Sequence, residues 1–372
     1  MLPENMKMKF LLSILLLIAA LPSFSQEVSA HTMNEIYNEI KTPYKYGLVL
    51  TPKNDSFKVD CPTIFKKKST WYMSYIVFDG KGYETWLAKS SNLLQWETMG
   101  RLLSFPKDSA AWNASQLAGY FSLYDTEWGG AYRLGKHKGS SWMSYIGGKS
   151  SGYEAGELSI GMASTKKDPS KAHEWVTYPA PVLTSKDADV RWWENRKEFK
   201  STVIVDKQKR LGAKYIMYYN ANGDTAKDNK KTRWYERIGM AISDDMLHWR
   251  RFNTEPVVHH EAGITGDPYL QKIGDVWVMF YFGAFWKDRP KAFDRFACSY
   301  DLVHWTDWEG ESLIEPTETF DARYAHKPCV IKYKGVVYHF YNAVNEKDQR
   351  GIAVATSKDL GKSALNFKVT KK

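Results

Sequence analysis

The chain has 372 residues, 43% of them hydrophobic and 25% charged, which is the balance of an ordinary globular protein with an excess of aromatic side chains. Its formal net charge is +10, but lysines and arginines are scattered through polar turns with acidic residues between them, which argues against a nucleic-acid-binding surface. Three cysteines are too few for a disulfide scaffold and lack metal-ligand spacing, so we expect buried free thiols at Cys61, Cys298 and Cys329.

Residues 1–25 are predicted to be a secretory signal peptide. Lys7 and Lys9 precede the apolar run 10–21, and Ser23-Phe24-Ser25 offers small residues for cleavage. The run is shorter than the roughly 20 apolar residues that a membrane helix needs, and no other stretch of the sequence approaches that length. The sequence therefore predicts a periplasmic or secreted protein without membrane insertion.

Residues 26–45 are predicted to be an N-terminal leader, in which 31–40 can form a short helix. From Tyr46 onward, short aromatic and β-branched runs alternate with turns rich in Gly, Asn, Asp and Lys, a pattern typical of a many-stranded β protein. Residues 46–50 are expected to pair with the last strands of the chain and so to close the fold.

One turn motif recurs along the chain and always follows a strand-like run. Its clear copies are Ser90–Trp96, Ser243–Trp249 and Ser299–Trp305, and looser copies begin at Ser164 and Ser357. The preceding runs are 85–88, 158–163, 238–242, 296–299 and 351–356. We expect the tryptophans of this motif to pack between layers of sheet.

The repeats predict an all-β fold, a five-bladed β-propeller with four-stranded antiparallel blades around a central funnel, over residues 46–372. The predicted starts of the innermost blade strands lie near Asp60, Gly130, Lys200, Gly266 and His326. A large β-sandwich or a parallel β-helix is the alternative.

Each predicted strand start carries a carboxylate or an imidazole, and in a propeller these starts converge at one end of the central axis. The five candidates are Asp60, Glu127, Glu198, Asp267 and His326. Glycoside hydrolysis needs such a set, because one carboxylate activates water while an acid protonates the leaving oxygen.

Two of these segments carry a family resemblance. Asp60-Cys61-Pro62-Thr63-Ile64 and Asp267-Pro268-Tyr269-Leu270, each followed by an aromatic strand, resemble the catalytic-Asp strands of the five-bladed propeller glycosidases, which include glycoside hydrolase families 32, 43, 62, 117 and 130. The turns Asn92–Trp96 and Asp301–Trp305 are also similar. The resemblance covers residues 46–372 and implies a secreted enzyme that cleaves a terminal sugar from a plant or algal polysaccharide or oligosaccharide, in an exo-acting and inverting manner.

The resemblance also implies roles for the residues at the strand starts. Asp60 would be the general base, and Asp267 would orient the substrate or tune the acid. His326, in Ala325-His326-Lys327-Pro328, looks most like the proposed His acid of family 117, whereas family 43 uses a Glu acid. Glu198 is the nearest and an imperfect match to that Glu, so Glu198 and Glu127 remain alternatives for the acid.

Substrate binding is predicted at residues of the expected loops and strand starts: Trp112, Asn113, Gln116, Trp128, Trp193, Lys200, Trp286 and Arg323. A purely structural interpretation stands beside each functional one, because an Asp before Pro commonly caps a turn and a lone His or Trp is commonly a core residue.

The expected partner is an oligosaccharide or polysaccharide, and no cofactor is required. The resemblance allows a structural divalent cation such as calcium on the axis, although no ligands for it can be assigned. Phosphorolysis, as in family 130, is an alternative, for which Arg191, Arg196, Lys200, Arg323 and Lys327 would hold phosphate. A non-catalytic carbohydrate-binding propeller is another, and the sugar, the linkage and the oligomeric state stay open.

Overall fold

The computed structural model describes residues 27–54, 56–223, 235–260 and 262–368, and the predicted signal peptide lies outside these ranges. Within them the protein is nearly all-β, with one α-helix, α1 (Ala30–Ile40), where a short helix was predicted. The Ser29 hydroxyl accepts a hydrogen bond from the Thr32 amide and so caps the start of α1. No helix in the described part of the chain is long and apolar enough to cross a membrane.

Strands make up most of the remaining described structure, and all the strand-like runs predicted before the turn motif are confirmed. In chain order the strands are β1 (Tyr44–Leu50), β2 (Lys58–Lys67), β3 (Thr70–Phe78), β4 (Tyr83–Ser90), β5 (Glu97–Leu103), β6 (Gln116–Phe121), β7 (Ser141–Gly148), β8 (Ser159–Thr165), β9 (Val176–Thr177), β10 (Lys197–Val205), β11 (Tyr215–Asn222), β12 (Glu236–Ser243), β13 (Arg250–Arg251), β14 (Ile264–Ile273), β15 (Val276–Ala284), β16 (Phe293–Ser299), β17 (Thr306–Asp307), β18 (Tyr324–Tyr333), β19 (Val336–Val344) and β20 (Arg350–Thr356). A short 3₁₀ helix spans Trp192–Glu194.

The described strands form sheets from consecutive antiparallel units. Strands β2–β9 form one sheet, β10–β17 a second, and β18–β20 with β1 a third. In each larger sheet a single parallel bridge joins two units, Tyr83 with Gln116 in one and Glu236 with Ile264 in the other. Strand β1 pairs antiparallel with β20, which confirms the pairing predicted for residues 46–50.

The first strands of these units lie side by side. Strand β6 contacts β2 and β10, β14 contacts β10 and β18, and β18 contacts β2. Many strands are buried on both faces, as in β15, whose nine residues are all buried. Because sheets pack against both faces, the chain uses aromatic and β-branched side chains where a one-sided sheet would alternate with polar residues.

The recurrent turn has the same geometry in its clear copies. In the first, the Ser90 hydroxyl accepts from the amides of Asn92 and Leu93, and Leu93 takes the left-handed conformation with φ 70°. The indole of Trp96 donates to the Leu93 carbonyl at 2.9 Å and packs against the largest core cluster. The turn motif therefore serves the architecture rather than the chemistry.

A β-bulge interrupts several first strands near their start. The register shifts lie between Asp60 and Thr63 in β2, between Gly266 and Tyr269 in β14, and between His326 and Cys329 in β18. In each, the residue before the proline has a positive φ: Cys61, Asp267 and Lys327. Proline fits there because a bulged residue does not need to donate to the ladder. Cys61, Asp267 and Lys327 are thus structurally equivalent positions in the three bulges. Asp60 lies one residue before the equivalent position in β2.

The second predicted strand start, near Gly130, was wrong. The first strand of the second unit is β6, and residues 127–130 lie in the loop that follows it. The Asp125 carboxylate accepts hydrogen bonds from the amides of Glu127, Ala131 and Tyr132, which folds this segment into a turn. Trp128 then donates to Glu39 of α1 at 2.7 Å, so the loop packs against the helix.

Candidate active site

A cavity of about 670 Å³ lies where the first strands begin, within the range of roughly 300–1,000 Å³ typical of small-molecule sites. First strands contribute Cys61, Lys200, Asp267, His326 and Lys327 to its lining. Third strands contribute Tyr83, Glu236 and Arg350, each the first residue of its strand. Both sets meet here because first and third strands of an antiparallel unit run in the same direction.

Asp60 is buried directly behind the cavity lining and is held by cations. Its Oδ2 accepts from Lys327 Nζ at 3.1 Å and lies 3.5 Å from an Arg350 nitrogen, while its Oδ1 accepts from the Cys61 amide at 3.0 Å. Burial alone would raise the pKa of Asp60, but the charges of Lys327, His326 and Arg350 lower it to about 2. Asp60 is therefore an ionised anchor for Lys327 and Arg350.

Asp267 is the second buried carboxylate at this end, and the positive φ of its bulge turns it into the cavity. Its Oδ2 lies 3.4 Å from the Cys61 thiol and 3.7 Å from Lys200 Nζ. The Asn220 side chain accepts from its amide at 3.3 Å. We call Asp60, Asp267 and their cations the floor of the cavity (Asp60, Lys200, Asp267, Lys327, Arg350). The Cys61 thiol, which is 3.6 Å from Asp60 Oδ1, lies between the two ion-paired sets.

His326 lines the cavity but is a poor proton donor here. Burial, together with the charge of Lys327, lowers the pKa of His326 to about 3, although Asp60 opposes the shift. The imidazole is neutral near pH 7, and its Nδ1 donates to the Asn342 carbonyl at 3.3 Å. That tautomer leaves Nε2 as a hydrogen-bond acceptor.

Glu236 lies at the start of β12 and lines the cavity. Burial, together with the charges of Glu154 and Asp267, raises the pKa of Glu236 to about 8. The Asn220 amide, which donates to Glu236 Oε2 at 2.7 Å, and the charge of Lys327 act in the opposite direction. Glu236 therefore carries its proton near pH 7, which is the state that a general acid needs.

Glu154 lines the same cavity from the loop between β7 and β8, with a φ of 51°. Burial raises its pKa, as do the charges of Asp60 and Asp267, whereas Lys327 and Arg350 lower it. The Tyr83 hydroxyl lies 3.4 Å from Oε1, and Lys197 Nζ donates to the Glu154 carbonyl at 2.7 Å. Glu154 and Glu236, which we call the wall pair, lie on the cavity without a salt bridge to any described cation.

Neither Glu198 nor Glu127 lies on the cavity. Glu198 is fully buried on the other side of β10, where its Oε1 is 3.4 Å from Arg251, a residue that also binds Glu194, Asp187 and Asp189. Regular alternation would place Glu198 and Lys200 on the same face of β10, but the bulge between Glu198 and Ser201 breaks that alternation, so only Lys200 reaches the cavity. Glu127 is solvent-exposed in the loop that packs against α1.

Lys200 and Arg323 line the cavity, but the other predicted sugar-binding residues pack elsewhere. Trp112 stacks on Tyr145, whose hydroxyl accepts from Asn113 at 3.0 Å. Gln116 bonds the Ser150 and Gly152 carbonyls, Trp193 that of Thr254, and Trp286 that of Ile264. The cavity's aromatic lining comes instead from Tyr83, Tyr120, Tyr153, Phe199, Phe282, Phe285 and Tyr324.

Neither residue of the wall pair is among the site residues predicted from the sequence. Glu236 and Arg350 lie at the starts of third strands, which begin at the same end of each unit as the first strands that carry the predicted site residues. A search for acidic residues just before or at the predicted third strands would have included Glu236, because 238–242 was a predicted strand. Glu154 offers a weaker signal, since it lies in a Gly- and Ser-rich loop five residues before β8.

Among the described residues no group of three or more His, Cys, Asp or Glu side chains is placed to hold a metal ion. The Asp60 and Asp267 carboxylates at the cavity are paired with lysines and an arginine.

The chain is similar to solved structures of carbohydrate-active enzymes. A structure described as a glycoside hydrolase is 49% identical, covers 93% of this chain and all of its own, and has a TM-score of 0.89. A structure of BT0996 in an RGII complex is 50% identical with the same coverage and TM-score. Zg3597, a family 117 glycoside hydrolase from Zobellia galactanivorans, is 14% identical over 86% of this chain and 91% of its own with a TM-score of 0.59, a likeness of fold alone.

Among curated proteins, a β-1,2-mannobiose phosphorylase of Thermoanaerobacter sp. (strain X514) is 27% identical over 156 residues, which are 40% of this chain. The match spans about half of that relative's length, 48%. No family model matches the chain.

Proposed function

Because the chain belongs to the glycoside hydrolases of β-propeller fold, we propose that its cavity hydrolyses the bond to a terminal sugar of a plant or algal glycan, with Glu236 as general acid and Glu154 as general base. The observation that carries this proposal is the wall pair itself. Two neighbouring carboxyl groups with raised pKa values do not ionise together, so one keeps its proton while the other loses it.

The charges that shift the two pKa values decide which residue of the wall pair is the acid and which is the base. The ionised carboxylate of Glu154 raises the pKa of Glu236, so Glu154 ionises first and Glu236 retains the proton. Lys327 and Arg350 favour the ionised form of Glu154. Glu236 then protonates the leaving oxygen, and Glu154 accepts a proton from the attacking water.

The floor takes a different role in this mechanism from the one expected for Asp60 and His326. Asp60 is occupied by Lys327 and Arg350, so it orients those cations rather than activating water. Asp267 and Lys200 line the cavity and bind the substrate, and the neutral His326 accepts a hydroxyl hydrogen bond. Tyr153, whose hydroxyl accepts from Arg350 at 2.6 Å, adds an aromatic face.

Exo action and inversion are parts of the same proposal. Exo action is supported by the burial of Asp60, Lys200, Asp267 and Lys327, because a cavity lined by buried charged groups suits the end of a glycan rather than a polymer passing through. Inversion rests on the family resemblance and needs a water between carboxyl groups roughly 6.5–9.5 Å apart. Proton NMR of the first-formed product distinguishes the outcomes, because an inverting enzyme releases the anomer opposite to that of the substrate.

The proposal extends to the whole chain. The mutual contacts of β2, β6, β10, β14 and β18 and the pairing of β1 with β20 support a closed five-bladed propeller over residues 46–372. Residues 1–25 would be the signal peptide of a secreted or periplasmic enzyme, and 26–45 its leader.

The test is turnover of a panel of glycans, beginning with RGII oligosaccharides, since RGII is the glycan named for a 50% identical structure, and continuing with arabinans and algal galactans. Purified enzyme should release a monosaccharide from one of them, and Glu236→Gln and Glu154→Gln should each abolish most of that release. Glu198→Gln, buried on Arg251 away from the cavity, is the matched control. Full activity of Glu236→Gln would refute the mechanism.

Phosphorolysis is the second candidate, favoured by the mannobiose phosphorylase match and by the cations of the cavity. It predicts that turnover requires inorganic phosphate and yields a sugar phosphate. Binding of the glycan without any product would instead favour a non-catalytic carbohydrate-binding protein.

A further inference from the structure

We propose that Lys200, Tyr120 and Asp267 bind one and the same hydroxyl group of the terminal sugar, so that the substrate must carry that hydroxyl unsubstituted. This inference rests on the proposed function and adds to it a requirement on the sugar. It depends on two buried donors without an acceptor and on a carboxylate oxygen without a donor, all on the lining of one cavity.

Lys200 is the first donor. Its side chain is 1% exposed and lines the cavity, and its Nζ has no hydrogen-bond partner among the described residues. Asp267 Oδ2, the carboxylate oxygen with which it pairs, is 3.7 Å away, which is beyond hydrogen-bond distance. Because a buried ammonium group without a hydrogen bond is costly, a ligand oxygen at this place would stabilise it.

Tyr120 is the second donor. Its side chain is 1% exposed and lines the cavity, and its hydroxyl has no partner in the part of the chain that the structure describes. Lys200 Nζ lies 5.5 Å from the centre of the Tyr120 ring. Burial, together with the neighbouring Cys61 and Asp267, raises the pKa of Tyr120. The phenol therefore keeps its proton and can donate it to an oxygen held beside Lys200 and Asp267.

Asp267 supplies the acceptor. The contacts of its carboxylate with described residues, the Cys61 thiol at 3.4 Å and Lys200 Nζ at 3.7 Å, both involve Oδ2. Its Oδ1 accepts no hydrogen bond from a described residue, and the side chain lines the cavity. An oxygen that lies between Lys200 and Asp267 can therefore accept from the ammonium group and donate to the carboxylate.

A hydroxyl group matches this set of partners. It has two lone pairs and one proton, so it can accept from Lys200 and Tyr120 while it donates to Asp267. A ring oxygen, a methyl ether, an ester or a carboxylate has no proton to donate and would leave Asp267 Oδ1 without a donor. A sugar that is acylated or alkylated at this oxygen is therefore excluded until the substituent is removed.

The charges around the cavity also favour a neutral group. The three cations of the floor face its two carboxylates and, in the proposed mechanism, the ionised Glu154. Cations and anions are then equal in number, so the ligand group needs no charge of its own. A hydroxyl brings none, whereas a carboxylate would place a like charge beside Asp267 and Glu154.

The experiment measures equilibrium binding to the full-length enzyme of the monosaccharide that the glycan panel identifies as the product. It compares this sugar with its monodeoxy analogues, each with one hydroxyl replaced by hydrogen. We expect one deoxy analogue to lose about 10- to 100-fold in affinity, the range of a charge-assisted hydrogen bond. The O-methyl analogue at the same position should bind no better, because it has no proton for Asp267. An O-methyl analogue that binds as tightly as the parent sugar would overturn the inference while leaving the proposed hydrolysis intact.

Double-mutant cycles assign the hydroxyl to these residues. Tyr120→Phe and Lys200→Met should each weaken binding of the parent sugar and reduce the further loss caused by the deoxy change at that one position. Losses at the other positions should stay as in the wild type. Tyr178→Phe, which removes a hydroxyl outside the cavity lining, is the control and should change neither quantity.

If Lys200→Met does not fold, Tyr120→Phe, which removes only a hydroxyl, decides the matter. Deoxy losses that are the same in the wild type and in Tyr120→Phe at every position would overturn the inference. Release of no monosaccharide from any glycan in the panel would overturn the proposed hydrolase, and the inference with it.

Discussion

The floor and the wall of the cavity each contain two carboxyl groups, and the surroundings of the two pairs differ. Asp60 and Asp267 on the floor lie beside Lys327, Arg350 and Lys200. Glu154 and Glu236 on the wall form no salt bridge with a described cation, and burial dominates their pKa shifts. The pKa of Asp60 is lowered to about 2 while that of Glu236 is raised to about 8. The placement of cations, rather than burial alone, thus sets the pKa of Asp60 apart from that of Glu236, and the proposed mechanism assigns proton transfer to the wall.

The strongest test of this difference is Glu236→Gln, which keeps the shape of the side chain and the partner Asn220 but removes the proton donor. We expect kcat to fall by about 10²–10⁴-fold, the usual contribution of a general acid. Aryl glycosides with acidic phenol leaving groups should lose much less, because they need no protonation. If His326→Gln lowers kcat more than Glu236→Gln does, and shows the same dependence on the leaving group, then His326 is the general acid.

The Asp60→Asn variant tests how much the buried ion pairs of the floor contribute to the free energy of unfolding. The change leaves Lys327 and Arg350 buried beside a neutral amide, and breaking a buried ion pair on one side costs about 3–5 kcal/mol. Urea unfolding at neutral pH measures this free energy. Asp168→Asn, which breaks the partly exposed pair with Lys67, is the control and should cost at most about 1 kcal/mol. Equal losses in both variants would mean that the floor is not a buried ionic group.

The pH dependence of activity tests the two members of the wall pair without a mutation. Activity should decline as pH rises through about 8, because Glu236 loses its proton there, and should also decline in acid as Glu154 becomes protonated, at a pH above its ordinary 4.5. A kcat/KM profile from pH 4 to 10 checks both limbs. An alkaline limb that persists in Glu236→Gln would assign it to another group.

The contributions of Glu236 and Asp60 to the free energy of unfolding should change with pH in opposite directions. Glu236 binds its proton more tightly in the folded state, so its contribution weakens as pH rises from about 4.5 to 8. Asp60 has a lowered folded pKa, so its contribution is present above about 3.8 and is lost as pH falls toward 2. Glu236→Gln should flatten the dependence of the unfolding free energy on pH between 5 and 8, and an unchanged slope would contradict the raised pKa.

The smallest expected effect concerns Trp128, predicted from sequence to bind sugar. Trp128→Phe removes its hydrogen bond to Glu39 of α1 and should cost about 0.5–1.5 kcal/mol of unfolding free energy, with kcat/KM unchanged. A loss of activity without a loss of stability would place Trp128 in the site after all.

The sequence predicted the repeated elements well because each has a local cause. Ser90 and Asn92 fold their turn through their own side chains, and the proline at each bulge restricts the backbone around Cys61, Asp267 and Lys327. The pairing of β1 with β20 also followed, because an antiparallel repeat leaves its first and last strands as unpaired edges.

Site residues were harder to predict because they depend on direction and partner. Glu198 and Lys200 lie two residues apart in β10, yet the bulge sends only Lys200 to the cavity. Local pattern also gave no sign that Asp125 would fold Glu127 and Trp128 toward α1. The role of Asp60 follows from cations that are distant in sequence, such as Lys327, 267 positions away. The role proposed for Glu236 follows from burial and from Glu154, which are not visible in the local sequence either.

The pairing of β1 with β20 has a consequence for how the protein is made. Ribosomes add about 5–20 residues per second, so β1 emerges about 15–60 s before its partner strand, some 300 residues later. During that interval β1 is an exposed edge that other nascent chains can pair with, and contacts so distant in sequence slow folding. We therefore expect the yield of folded enzyme to depend on chaperones that shield the N-terminal segment until translation ends.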